Sequence, residues 1–488
     1  MASSTAVGRQ ETPEPDQFYE ARQKVYPQSV TGTFRRIKWG LLLCCLAVYY
    51  LIPFIRWERG PGQPSQAVLV DFPSRRAYFF FIEIWPQEVY YITGLLILAA
   101  ISLFLMTAIA GRVWCGFLCP QTIWTDLYMA VERFFEGDRH DRIDLDKAPW
   151  TADKVLRKVG KHASWLLIAW CTGGAWVLYF ADAPTLLKDI VTLQAPMAAY
   201  IWIGILTFTT YALAGFMREQ ICIFMCPWPR IQAALTDEWA LNVSYRVDRG
   251  EPRAGVRQGV QLRAQGQHVG DCIDCRSCTF VCPTGTDIRL GPQLSCIQCG
   301  LCIDACNAVM AKLKRPGNLI AYDTDINIQR HAQGLPPMRK LIRPRSILYI
   351  VIILVIGGVM AFSLATRASV GVNVLHDRNP TYVVNSDGTI RNGYTIRLIN
   401  KAPAARTFEI SVDGLPASAR LEIAGATRDG PKTMSLSVGV DQTREARALV
   451  FVPAADSRAA STDVTFLIRE TSTGESARHH DFFKAPGQ

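Results

Sequence analysis

Eight cysteines in the middle of the chain restrict its fold more than any other feature. They stand as Cys272-x2-Cys275-x2-Cys278-x3-Cys282-Pro283 and Cys296-x2-Cys299-x2-Cys302-x3-Cys306. Backbone with this spacing must curl tightly enough for three sulfurs to converge, and it must do so twice. Soft thiolates at these intervals ligate [4Fe–4S] cubanes, the fourth cysteine of each run reaching across to the other cluster. Cys272, Cys275, Cys278 and Cys306 are therefore assigned to one cluster, and Cys296, Cys299, Cys302 and Cys282 to the second. Paired Cys-x2-Cys also builds zinc sites, but zinc needs neither the third cysteine nor the repeated fourth. The second run continues Cys306-Asn307 where the first has Cys-Pro. That proline is a backbone device and not a ligand.

The chain has 488 residues, 49% of them hydrophobic, with the apolar residues gathered into runs. Five runs approach the roughly 20 residues that a membrane span needs: Ile37–Ile55, Val89–Ala110, Ala163–Phe180, Met197–Phe216 and Ser346–Ala365. The formal net charge of +10 is concentrated at their ends: Arg35 and Arg36, Arg112, Lys154 to Lys161, Arg218, and Arg339 to Arg345. This is the pattern of positive-inside topology, so nucleic acid is not expected as a partner. The N-terminus and the segments Gly111–His162 and Arg218–Arg345 are expected in the cytoplasm. There, thiols stay reduced and clusters are loaded. The polar N-terminus has no apolar core and does not read as a signal peptide.

After the fifth run the pattern changes. Short alternating stretches appear at 394–400, 407–412, 419–425, 433–440, 446–453 and 464–470, separated by turn residues and free of cysteine. They predict an antiparallel immunoglobulin-like sandwich. The expected organisation is a cytoplasmic N-terminal segment (1–36), a four-span membrane domain (37–227) and a cytoplasmic α+β ferredoxin-like domain (228–345). A fifth transmembrane helix (346–365) and a periplasmic all-β sandwich (366–488) complete it.

A second cysteine pattern repeats at the membrane edge. Cys115-x3-Cys119-Pro120 follows the second run, and Cys222-x3-Cys226-Pro227 follows the fourth. On helical backbone i and i+4 share a face, so each pair can present two sulfurs to one centre. Four such thiols can hold a metal or a further cluster, act as redox dithiols, or receive Cu(I), which prefers sulfur. Met217 and Met225 stand beside the second pair. Cys44, Cys45 and Cys171 lie inside spans and read as packing. His162 is the one histidine near a span, so membrane haem is not expected, and no Cys-x2-Cys-His, dinucleotide fingerprint or Walker loop is present. His479-His480 reads as a solvated pair, His376-Asp377 as structural, and Arg246–His268 as a polar surface segment able to meet an acidic donor or anionic lipid headgroups.

Taken together, these features resemble the cytochrome c oxidase accessory protein family, the FixG-like (CcoG-like) membrane ferredoxins of cbb3-type oxidases. Trp114–Gln121, Cys222–Pro227, both cysteine runs and Val374–Asn400 carry the resemblance. It implies reduction of Cu(II) to Cu(I) for oxidase assembly, with two [4Fe–4S] clusters as cofactor and copper as substrate. It places a copper or redox role on Cys115, Cys119, Cys222 and Cys226. The implied partners are a cytoplasmic electron donor, a copper exporter or chaperone, the cbb3-type oxidase subunits and membrane lipid. The implied location is the bacterial inner membrane, and homodimerisation is left open. Two other readings stand beside it: a quinol-linked electron-transfer ferredoxin, and an assembly scaffold with structural clusters.

Overall fold

The computed structural model describes residues 24–60, 63–340, 342–367, 370–402, 404–440, 442–457 and 459–486. Of the expected N-terminal segment 1–36, the part before Lys24 lies outside them. The described chain forms two compact units. One takes in the chain up to Phe54 with Val68–Ala77 and Ile84–Ile356; the other takes in Ile55–Ala67, Tyr78–Glu83 and Gly357–Gln488.

In the first unit and at its C-terminal end, helices occupy all five apolar runs. Four of them, Thr33–Phe54, Pro86–Ala110, Met197–Met217 and Pro344–Ala365, are long and apolar enough to cross a membrane. Leu43, Leu96, Phe208 and Leu354 stand exposed along them, as side chains facing lipid do. The third run belongs to a longer helix, Ala152–Val177, started by Thr151, whose side chain accepts from the Lys154 amide. This helix is not among the four, because Lys158, Lys161, His162 and several Trp, Gly and Thr residues dilute its apolar part.

Of the lysines that read as flanking charge, Lys154 and Lys161 turn out to be buried and Lys158 half-buried. Glu136 on the helix Pro120–Glu136 pairs with Lys158 at 2.9 Å and Lys161 at 2.7 Å. Glu132 pairs with Arg218 at 3.0 Å and Arg142 at 3.1 Å. Asp126, one face-turn earlier, holds Arg35 at 2.8 Å and Lys38 at 3.4 Å. Breaking such buried pairs one-sidedly costs about 3–5 kcal/mol, because the orphaned charge stays dry.

The cysteine runs sit in a small α+β body. Strand β1 (Asn242–Tyr245) pairs antiparallel with β2 (Ile320–Asp323), Tyr245 opposite Ile320. Val243, Ile303, Met310 and Leu319 pack the cysteine loops against this ribbon. The body is fastened to the membrane helices by polar contacts. Asp304, on the helix Leu301–Lys312, accepts the amides of Phe34 (3.3 Å) and Arg35 (2.8 Å), capping the helix that starts at Thr33. Gln298 accepts the Arg112 amide at 2.6 Å, and Arg343 donates to the Ala108 carbonyl.

The second unit is a two-sheet sandwich. Its strands are β3 (Val370–His376), β4 (Thr389–Asn400), β5 (Arg406–Asp413), β6 (Arg420–Ile423), β7 (Thr433–Val438), β8 (Gln442–Pro453), β9 (Ser461–Glu470) and β10 (Ser476–Lys484). One sheet runs β6-β8-β4-β3 with Val383–Val384 beside β4; the other runs β7-β5-β9-β10 with Thr427–Arg428 beside β7. Alternation drives it: Tyr394, Ile396 and Leu398 of β4 meet Phe408, Ile410, Phe466 and Ile468 in one core. The alternating stretches anticipate β4 to β9, but not β3 or β10. His479-His480 is no loose tail. It lies within β10, where His480 contacts Thr465 at 2.9 Å. Buried Asn392 holds the end of that strand, exchanging 2.7 and 2.8 Å bonds with the Lys484 backbone. The segment read as a polar surface stretch contains a helix, Val256–Ala264.

Candidate functional site

The two cysteine runs fold into matching loops. Asp274 and Arg276 in the first, and Gln298 and Gly300 in the second, have φ between +53° and +74° at equivalent positions. Left-handed residues turn amide N–H groups inward toward the sulfurs. The Gln298 amide donates to Cys296 Sγ at 3.4 Å, a contact of the kind that tunes cluster potential.

Each loop pair encloses a small cavity. One is lined by Cys272, Cys275, Cys278 and Cys306, the other by Cys282, Cys296, Cys299 and Cys302. These are the two quartets expected from the spacing, including the crossing of Cys282 and Cys306. Among the described residues no three His, Cys, Asp or Glu side chains close on one point as ligands of a single ion would. Four cysteines around each cavity are the ligand set that a [4Fe–4S] cubane takes. Burial pushes the thiols up, Cys278 to about 11 and Cys296 and Cys306 to about 12. Such groups become thiolates only against the positive charge of a bound metal centre.

The membrane-edge cysteines form a third quartet, though not by the expected route. Neither pair lies on continuous helix. Cys115 is on the short helix Val113–Phe117, while Cys119 is extended (φ −60°, ψ 129°) and precedes the helix that Pro120 opens. Cys222 is on a π-helical turn, Ile221–Met225, and Cys226 is extended (φ −77°, ψ 124°) before Pro227. The prolines that follow end the helical backbone at the second cysteine of each pair. Burial pushes Cys115 up to about 12; Arg112 opposes this, and Cys119, Cys222 and Cys226 add to it. All four thiols thus lie within electrostatic reach of one another. Cys115 Sγ donates to Gln232 Oε1 at 3.2 Å, a buried partner that sequence reading missed. Met225 is exposed, away from this quartet's packed side.

This quartet abuts the second cysteine cavity. Cys115 and Cys222 pack with Ile297, Cys299 and Leu301. At Gly116 the approach is closest: a Cβ there would stand 2.8 Å from the Ile297 carbonyl oxygen and 3.0 Å from Cys299 Cα. Only a residue without a side chain lets the two backbones meet so closely.

Family models describe the same segments. A 4Fe-4S dicluster domain matches residues 217–325, a 4Fe-4S binding domain matches 92–136, and an IG-like fold at the C-terminal of FixG matches 360–486. The chain is 46% identical to nitrogen fixation protein FixG of Rhizobium meliloti, over 96% of this chain and 94% of the relative. It is 50% identical to protein RdxA of Cereibacter sphaeroides, over 81% and 84%, and 44% identical to protein RdxB of the same organism, over 96% and 98%. Two [4Fe–4S] clusters are thus the cofactor of this chain, and electron transport at a membrane is its work.

Proposed function

The chain belongs to the FixG family, and from that premise we propose that it reduces Cu(II) to Cu(I) for copper delivery to a cbb3-type cytochrome c oxidase. The observation that carries the reading is the backbone contact at Gly116, which sets the membrane-edge quartet directly against the second cysteine loop. Cys272, Cys275, Cys278 and Cys306 hold one cluster, and Cys282, Cys296, Cys299 and Cys302 the other. When bound, the clusters supply single electrons at potentials of about −400 mV.

The membrane-edge thiols receive the substrate. Burial raises the Cys115, Cys119 and Cys222 thiols, so these release protons on ligating copper. One electron then converts Cu(II) to Cu(I), and soft sulfur ligands favour the product, raising the copper potential. Gln232 takes the Cys115 proton's hydrogen bond and orients that sulfur toward its partners.

The positive ends of the helices support a five-span topology with Ala152–Val177 as the third crossing. The cysteine body and N-terminus then face the cytoplasm of a bacterial inner membrane, and the sandwich faces the periplasm. A cytoplasmic donor feeds the clusters, and a copper exporter or chaperone takes the Cu(I). The oxidase subunits are the final recipients.

One observation favours a second reading, quinol-linked electron transfer. A cavity of about 410 Å³ has Trp165, Phe216 and His162 in its walls together with the charged Glu132, Lys158 and Lys161, and runs to Arg218, four residues before Cys222. An aromatic-walled cavity of this kind suits a quinone ring. A single experiment separates the two. The anaerobically reduced protein is mixed with Cu(II) while a Cu(I)-specific chelator and cluster absorbance are followed. Stoichiometric reoxidation with Cu(I) release, lost when the four membrane-edge cysteines are alanine, supports cupric reduction. Clusters that ignore copper but reoxidise with quinone overturn it in favour of the second reading.

A further inference from the structure

A separate cavity, of about 670 Å³, opens at the start of the first apolar helix. It is lined by Ser29 to Gly32, Arg35, Arg36, Trp39, Ala130 and Arg133. Three guanidinium groups face it and no carboxylate lines it. The nearby acids are already engaged. Asp126 holds Arg35 and Lys38, and Asp138 accepts from the Ser29 amide at 2.9 Å and from its hydroxyl. Among the described residues, Arg36 and Arg133 have no carboxylate within ion-pair distance, and Arg133 Nε is buried without a hydrogen-bond partner. Arg36 is exposed, with Nε donating to the Gly32 carbonyl at 3.4 Å, and Arg133 feels Asp126 and Asp138 only beyond ion-pair distance, so both keep guanidinium N–H groups for a further anion. The Arg35 guanidinium stacks over Trp39, 4.7 Å from the ring centroid, so this wall of the cavity is stiff.

We propose that this cavity binds the phosphate group of an anionic phospholipid. Arginine forks match phosphate oxygens bidentately, while the amides that open the helix Thr33–Leu51 are already capped by Asp304 and leave the arginines as the anion's partners. The lipid source follows from place. The cavity lies where a membrane-crossing helix begins, and Ile37 and Leu43 stand exposed farther along it, able to meet acyl chains. Basic pockets beside spans recognise headgroups in this way. The inference is independent of copper chemistry, since no cysteine lines the cavity.

The test uses the full chain, delipidated in a neutral detergent and loaded with its clusters. Thermal unfolding midpoints are recorded against phosphatidylglycerol, phosphatidylcholine and inorganic phosphate. The expected result is saturable stabilisation by phosphatidylglycerol alone. It should be about tenfold weaker in Arg36→Gln/Arg133→Gln, which loses two charge-assisted contacts. Arg35 is left intact because it supports Asp126. Undiminished cluster absorbance certifies that the variant is folded, and Arg36→Lys/Arg133→Lys should regain part of the response. Equal stabilisation by phosphatidylcholine, or an unchanged response in the glutamine variant, overturns the site. Full stabilisation by inorganic phosphate overturns the lipid source and leaves a free-phosphate site.

Discussion

Replacing Gly116 with alanine should uncouple the membrane-edge cysteine quartet from the iron–sulfur body without dismantling either. The added methyl would stand 2.8 Å from the Ile297 carbonyl oxygen, 2.9 Å from that of Gln298 and 3.0 Å from Cys299 Cα. Ordinary contact begins at 3.4 Å, so the segments must part by about 0.6 Å, in a place where all three neighbours are backbone and none can rotate away. Overpacking of this kind costs about 1–3 kcal/mol. The assay is iron content and thermal midpoint, followed by the rate of Cu(II)-dependent cluster reoxidation. Expected are full iron loading, a lower midpoint and slowed reoxidation by copper, while reoxidation by a small soluble oxidant is unaltered. Gly174→Ala is the control, since a Cβ there meets nothing within 4 Å and an alanine in mid-helix stabilises by about 1 kcal/mol. If Gly116→Ala matches the parent in both midpoint and copper rate, the contact does not couple the two sites.

Three further outcomes are expected. Cys306→Ser should remove the same cluster signal as Cys272→Ser, and Cys282→Ser the same as Cys299→Ser; electron paramagnetic resonance of the reduced variants decides, and pairing by run instead would refute the crossing. Burial alone would raise the Glu132 carboxyl, but Arg218, Arg142 and Lys161 outweigh it and hold it at about 2 against an ordinary 4.5. Its contribution is present above pH 4.5 and lost as pH falls toward 2. Glu132→Gln should therefore cost about 3 kcal/mol at neutral pH, the deficit shrinking below pH 4.5 in denaturation followed by tryptophan fluorescence; a constant deficit would exclude the charge. In the sandwich, Phe466→Ala empties a fully buried position and should cost about 3–5 kcal/mol in an isolated fragment 370–486, read by urea unfolding.

What could be read in advance differs between parts for physical reasons. Cluster ligation is a local matter of spacing, so the Cys282 and Cys306 crossing was legible from the intervals alone. The sandwich strands β4 to β9 were legible because their inner faces alternate. β10 was not, since Arg478, His479, His480 and Asp481 sit in its middle and its apolar content comes only at Phe482 and Phe483. The acids on the helix Pro120–Glu136 carried no visible sign of their partners. Lys158 and Lys161 stand at the foot of an apolar run, where a solvated flank and a buried ion pair look identical in sequence. The break inside each Cys-x3-Cys-Pro pair was announced by its proline. The reading of each pair as one helical face overlooked that the proline forces its second cysteine off the helix. Gln232 had no motif to reveal it, because its role depends on a contact over 117 residues of chain.

The cap that Asp304 places on the helix beginning at Thr33 ties biogenesis to metal supply. Asp304 lies between two cluster-ligand positions, Cys302 and Cys306, on one helix. A chain inserted into the membrane before iron arrives has this helix poorly anchored, and its first span then begins with unsatisfied amides. The junction before Phe34 becomes the natural point of proteolytic entry in such a chain, and it closes once the clusters are in place.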